Sequence, residues 1–173
     1  NTNVQKIGPI LSPDVVDSGY SGTLNVVWNE HERSYVGYYL SGTGWENDEN
    51  KELQPCYDLK IATSDNLLNW KKSGIAAISL KPWEAGLSSA SVIQDARGYW
   101  HMWFSTRASQ YFRDGDGAYS IKHAISKDGF NWTRSENFGL KHDRNFGENM
   151  AAYPSVFCHK KTLYLLYNGF AFG

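Results

Sequence analysis

The chain has 173 residues with 17 basic against 18 acidic side chains, a formal charge of −1 that gives no bulk electrostatic pull toward nucleic acid or an anionic membrane. Its length suits one domain with a sizeable core, and no stretch approaches the roughly 18 apolar residues of a membrane span. Seven Trp, eleven Tyr and eight Phe beside sixteen Gly favour an all-β protein with tight turns over a helical one. Cys56 and Cys158, lacking metal or redox spacing, read as free thiols; with no signal-peptide pattern at Asn1, they favour a cytoplasmic location.

In chain order, residues 4–11 read as a strand, because Lys6-Ile7-Gly8-Pro9 resembles Lys72-Ser73-Gly74-Ile75, one repeat length later. Residues 24–28 and 34–41 form a predicted hairpin across the polar loop 29–33. The pair recurs at 90–93 with 99–105 and at 155–157 with 163–167, so that Tyr35, Trp100 and Tyr164 follow one another at nearly equal steps. Third strands are predicted at 57–63 and 119–125. Each leads into a Ser-Asp or Ser-x-Asp turn whose carboxylate accepts backbone N–H groups, with Gly129 supplying the permissive dihedral in one copy. Trp70 or Trp132 closes each turn and is expected to pack between neighbouring sheets. Ala62, Ser64, Asn69 and Trp70 match Ala124, Ser126, Asn131 and Trp132, all at one constant offset along the chain.

A four-stranded unit of about 65 residues, repeated, predicts a β-propeller of antiparallel blades. The boundaries are an outer strand of a preceding blade at 1–12, blades at 13–78 and 79–140, and the inner strands of a next blade at 141–173. Two complete units do not close a ring, which needs about four to eight blades. The chain is therefore read as about half of a larger propeller, with two chains sharing one ring as the rival.

In a propeller, residues just before each innermost strand converge on a central funnel. Glu84 and Glu148 each precede a Ser of that strand, Ser91 and Ser155, by the same short interval, and the first unit carries Asp17 in this region. Carboxylates from different blades facing one channel suit glycosidic cleavage, in which one donates a proton and another acts as base or nucleophile. Burial against Trp83 would raise Glu84 toward the range of a general acid. The competing reading is a pair of solvated loop glutamates. Trp45, Trp83 and Tyr111 lie in loops and, with Tyr119 and Tyr153, offer flat faces to sugar rings, whereas Trp100 and Trp103 read as core. Arg107 and Arg113 fork onto a substrate carboxylate or phosphate, or else bridge within their own loop. Asp114-Gly-Asp116-Gly opens like a calcium loop but lacks its distal Glu. The five His residues show no ligand spacing, so no metal and no cofactor is assigned. Asn131-Trp132-Thr133 is formally a glycosylation acceptor and is better explained by the turn.

The strings Tyr119-Ser-Ile-Lys-His-Ala124-Ile-Ser126-Lys-Asp128-Gly129-Phe-Asn-Trp132, Tyr99-Trp-His-Met-Trp-Phe-Ser-Thr-Arg107, and Ala152-Tyr153-Pro154-Ser-Val with Tyr167-Asn168-Gly169 resemble five-bladed β-propeller glycosidases. The likeness points to glycosidase-like proteins of bacterial surface-polysaccharide gene clusters and, more distantly, to the arabinanase/xylosidase and invertase families. It implies the C-terminal half of such a protein. In the arabinanase-like families an Asp base and an Asp modulator sit on early blades and a Glu acid on a later one; the resemblance gives Glu84 the acid's type and position, and adds Asn168 as a sugar contact. Gly147 stands where relatives carry a channel Asp, a departure beside Glu148. The expected function is a glycoside hydrolase-like protein cleaving or binding an oligosaccharide or polysaccharide, by inversion across carboxyl groups about 6.5–9.5 Å apart. A phosphorylase using Arg107 and Arg113, and a non-catalytic carbohydrate-binding propeller, are the alternatives. The expected partner is a carbohydrate, with no nucleic acid and no membrane, and a homodimer or a missing half-chain completes the ring.

Overall fold

The computed structural model describes residues 4–17, 19–113 and 116–170. Ten strands follow one another: β1 (Ser21–Asn29), β2 (Ser34–Asn47), β3 (Leu53–Ser64), β4 (Lys71–Ile78), β5 (Glu84–Gln94), β6 (Trp100–Ala108), β7 (Ser120–Ser126), β8 (Trp132–Leu140), β9 (Ala152–His159) and β10 (Thr162–Asn168). β1 to β4 make one antiparallel sheet and β5 to β8 a second, while β9 and β10 make a separate hairpin. A single parallel bridge, Tyr57 to Gly86, ties the first sheet to the second. The protein is all-β, a partial propeller, and among the described residues no helix is long and apolar enough to cross a membrane.

Every predicted strand falls within or across an observed one except residues 4–11, which form no strand. As the expected outer strand of a preceding blade, residues 4–11 have no strand of that blade among the described residues to pair with. Inner strands stand side by side and are stitched by side chains. Val92 N–H donates to Asn25 Oδ1 at 3.2 Å and Val156 N–H to Ser91 Oγ at 2.9 Å, so β1 meets β5 as β5 meets β9. Each inner strand also carries a register slip at a left-handed residue that is not glycine: Thr23 (φ 29°), Ser89 (φ 51°) and Tyr153 (φ 56°). Bulges bend a strand and re-aim its side chains, and three at equivalent places give the inner wall one repeated kink.

The turns explain why the two units match in sequence. Ser126 Oγ accepts from the Asp128 and Gly129 N–H groups, Asp128 Oδ1 accepts from Phe130 and Asn131, and Trp132 Nε1 donates to Gly129 O. The first copy repeats each bond, but Asn66 rather than Asp65 supplies the side-chain oxygen, accepting from Leu68 and Asn69, and Leu67 takes the left-handed place of Gly129 at φ 67°. Trp132 then meets Tyr38 of the first sheet edge-on, 5.6 Å between rings, and the Tyr38 hydroxyl donates to Gly129 O. The main core fills this gap between sheets, with Val36, Leu59, Ile61, Leu87, Met102 and Phe104 fully or nearly fully buried. A smaller core of Trp103, Ile121, Ala151 and Val156 joins the second sheet to the β9–β10 hairpin.

Candidate functional site

The start of β5, the end of β6, the start of β7 and the end of β8 share one edge of the second sheet, as the pairs Glu84–Ala108, Thr106–Ser120 and Ile121–Leu140 require. A cavity of about 400 Å³ opens along that edge, and Trp83, Glu84, Arg107, Lys122, Lys141 and His142 are among its lining residues. Its far wall is the loop between β6 and β7, which folds back on itself where Ala108 N–H donates to Gly117 O. That loop is clamped to the β2–β3 hairpin of the first sheet. Arg113 bonds Asp48 at 2.6 Å and Glu52 at 3.1 Å, Gln110 donates to Asn47 O, and Tyr111 N–H donates to Glu49. Phe112 is buried between the guanidinium groups of Arg107 and Arg113, 4.2 and 5.0 Å from its ring centre. Gly117 is held so closely that a Cβ would strike the Gln110 carbonyl. Gly117→Ala is therefore expected to destabilise the protein by about 1–3 kcal/mol and to speed amide exchange through residues 107–113. An unchanged melting temperature and exchange pattern would show that the loop gives way freely.

The structure brings Trp83, Glu84 and Arg107 to one cavity, sets Tyr111 and Arg113 in its flanking loop, and distributes the other expected site residues elsewhere. Trp83 is 61% exposed, with Lys81 over its ring at 5.4 Å. Arg107 is buried, and its guanidinium is spent on the Tyr57 hydroxyl and the carbonyls of Pro55 and Ala108; it does not present the expected open fork. Arg113 likewise holds Asp48 and Glu52, bridging to the neighbouring hairpin. Tyr119 is buried against the Tyr57 hydroxyl, not open to a sugar. Trp45 is exposed beside Tyr20 on the first sheet, and Tyr111 is exposed with φ 54°. Tyr153 is half-exposed on β9, and Asn168 ends β10 with its side chain accepting from Phe170 N–H. Asp114, of the calcium-like string, lies outside the described residues, and no cluster of three metal-ligating side chains occurs among them.

The carboxylates picked by spacing share one repeated arrangement. The Glu84 side chain is buried and its carboxylate takes Arg134 Nη1 and Nη2, at 2.8 and 2.7 Å, together with the Lys81 N–H. Burial pushes its carboxyl up, but the Arg134 guanidinium and the Lys81 N–H more than offset that and hold it below the ordinary value, the reverse of the expected direction. Asp17 makes the same arrangement one repeat earlier with Lys72, which stands to Arg134 as Trp70 stands to Trp132. Lys72 also donates to Ser12 O and lies over the Tyr39 ring, as Arg134 donates to Ser79 O and lies over the Phe104 ring. Burial pushes Asp17 up, and Lys72, Ser41 and Tyr39 together hold it low. Glu148 keeps the local half of the pattern, accepting from Asp143 N–H at 2.7 Å and from the Tyr167 hydroxyl at 2.6 Å. Sequence reasoning misses Lys72 and Arg134, although their shared offset with Trp70 and Trp132 was a signal that could have found them. It misses Lys141 and His142, which belong to no repeat and no motif, and passes over Lys122, which stands one repeat after Lys60 as His123 stands one repeat after Ile61.

A second cavity of about 460 Å³ lies on the opposite face of the second sheet, beside the hairpin, with Asp95, His101, Trp103, Phe138, Cys158 and Leu163 among its lining residues. Behind it His101 Nδ1 and His123 Nε2 are 3.1 Å apart, and His101 Nε2 is 3.5 Å from Asp95. Cys56 and Cys158 are both free.

No family model matches the chain. Two uncharacterized proteins of Mycobacterium tuberculosis strains are 27% identical over 144 residues and 25% over 143, each match covering 81% of this chain and 44% of the relative. The chain thus spans less than half the length of the curated relatives it matches. Among solved structures, a glycoside hydrolase aligns over 92% of this chain and 46% of its own at a TM-score of 0.70 and 18% identity. A thermostable family-43 glycoside hydrolase aligns over 87% and 49% at 0.64 and 17% identity, and sucrose-6-phosphate hydrolase from Lactobacillus gasseri over 94% and 31% at 0.66 and 15% identity. With its two four-stranded sheets, its repeated Trp-closed turns and its side-by-side inner strands, the chain has the fold of the glycoside hydrolase β-propellers.

Proposed function

We propose that this chain is the saccharide-recognising part of a glycoside hydrolase-like propeller, binding an oligosaccharide or polysaccharide along the edge of the second sheet. The observation that carries the reading is the cavity at that edge, where the exposed indole of Trp83 stands beside a polar wall of about sugar dimensions. A flat apolar face flanked by hydrogen-bonding groups suits the two sides of a sugar ring. Glu84 and Asp17 favour binding over cleavage within this chain, because each carboxylate is engaged by a cation and neither is an available proton donor. In the hydrolytic version of the proposal the acid and base come from the part of the ring outside these residues, supplied by the rest of a longer protein or by a second copy. The blade boundaries at 13–78 and 79–140 belong to the same proposal.

A glycan panel read by titration calorimetry tests it. A saccharide that binds the protein should lose about tenfold in affinity on Trp83→Ala, since the platform contributes both area and ring contact. Product release measured in parallel separates the versions: loss of turnover with binding retained in Glu84→Gln would restore Glu84 as the acid. Unaltered binding in Trp83→Ala would remove the cavity from the account.

A further inference from the structure

We infer that the cavity on the second sheet takes an anionic saccharide, one bearing a carboxylate, phosphate or sulfate, and that Lys122 and Lys141 recognise its charge. This deepens the carbohydrate reading and rests on it. Six charged or titratable groups line the cavity: Glu84, Arg107, Asp116, Lys122, Lys141 and His142. Two are already satisfied within the protein. Glu84 is closed by Nη1 and Nη2 of Arg134, and Arg107 is spent on Tyr57 and two backbone carbonyls. What remains facing the space is the two ammonium groups of Lys122 and Lys141 against the one carboxylate of Asp116, with the His142 ring beside them, an excess of positive charge in a chain whose overall balance is −1.

The placement of Lys122 is what makes this a site and not a solvated rim. Lys122 stands on β7 opposite Phe104 of β6, half-buried in the wall. Among the described residues neither Lys122 nor Lys141 forms an ion pair. Burial first, then the charge of Lys141, bias the Lys122 ammonium against its charged form; Lys81 adds to that bias, and Glu136 and Glu84 offset part of it. An arriving anion reverses that bias by giving the ammonium a partner in a partly dehydrated wall, where charge-assisted hydrogen bonds are strongest. Trp83, on the same cavity, supplies a ring face for the sugar that carries the charge.

The test compares oligosaccharides of glucuronate or galacturonate with their carboxyl-reduced forms on the full chain, by calorimetry at two salt concentrations. The acidic form is expected to bind at least about tenfold more tightly, with the preference shrinking as salt rises. Lys122→Gln and Lys141→Gln should each remove most of that preference, so that the affinities for the acidic and reduced forms converge. Sulfated and phosphorylated sugars, with inorganic sulfate and phosphate as competitors, tell a carboxylate requirement from a general oxyanion one, and either result supports the inference. Equal affinity for acidic and reduced forms would overturn it while leaving the carbohydrate reading standing. Failure of every saccharide to bind would overturn both. Melting curves of the two variants confirm that each is folded, so a lost preference is not mistaken for a lost structure.

Discussion

Arg134→Met is expected to destabilise the protein by about 3–5 kcal/mol, because it strips a buried carboxylate of its ion-pair partner while leaving the carboxylate in place. Glu84 is 5% exposed at its side chain and Arg134 18%, so water compensates poorly for the lost partner. Glu84→Gln should cost less, since the amide oxygen still accepts one Arg134 nitrogen and no uncompensated negative charge remains. The double variant should recover part of the loss, and denaturant unfolding of all four proteins gives the coupling directly. Lys72→Met tests the equivalent pair in the first sheet. Its cost should be smaller, because Lys60 stays 3.9 Å from Asp17 and the Ser41 and Tyr39 hydroxyls still donate to it. The wild-type pair also sets an acid limit. Glu84 is held below the ordinary value, so its contribution is present above the normal glutamate range and is lost as pH falls through its lowered pKa. A loss under about 1 kcal/mol in Arg134→Met would mean that the pair is merely incidental.

Those two ion pairs show how far the sequence could be read and where it stopped. The repeat was legible because the turn chemistry is local: Ser126, Asp128, Gly129 and Trp132 bond to atoms within three residues, so their spacing survives as a pattern. The inner hairpins were legible for the same reason, with Asn29 and Asp95 capping equivalent loops through Oδ1. The roles of the carboxylates were not legible. Glu84 and Asp17 recur in register as a buried acid at the head of a sheet would, and as a channel acid would, and the cation 50 or 55 residues away that bears on the choice leaves no mark in that register. Arg107 and Arg113 looked alike in one charged loop; the partners that separate them, Pro55, Tyr57, Asp48 and Glu52, lie on another sheet. Asn66 taking the work expected of Asp65 is the smallest case, since the register of a turn decides which of two adjacent side chains faces the backbone.

The second large effect expected is an acid-dependent loss of stability centred on His123. This imidazole is 1% exposed on β7, stacked beside His101, tilted against Trp103 and edge-on to Phe138, and its Nδ1 has no hydrogen-bond partner among the described residues. Burial first and the His101 ring second hold its pKa down at about 4, below an unfolded value near 6.5. Between those two values the unfolded chain binds the proton and the folded one does not, so stability rises with pH across that window and is lost as pH falls. From pH 7 to pH 5 the loss should be about 2 kcal/mol from this residue, approaching about 3 kcal/mol near pH 4. Asp95 touches His101 and not His123, so among the described residues no carboxylate pairs with a proton placed on the inner ring. The first sheet carries Ile61 at the equivalent position one repeat earlier, which shows that an apolar side chain fits this layer of the fold. His123→Phe should therefore flatten the stability profile between pH 7 and pH 5 while the steeper fall below about pH 4.5, driven by the carboxylates, remains. If wild type and variant lose stability in parallel over that upper window, His123 is not the group that titrates.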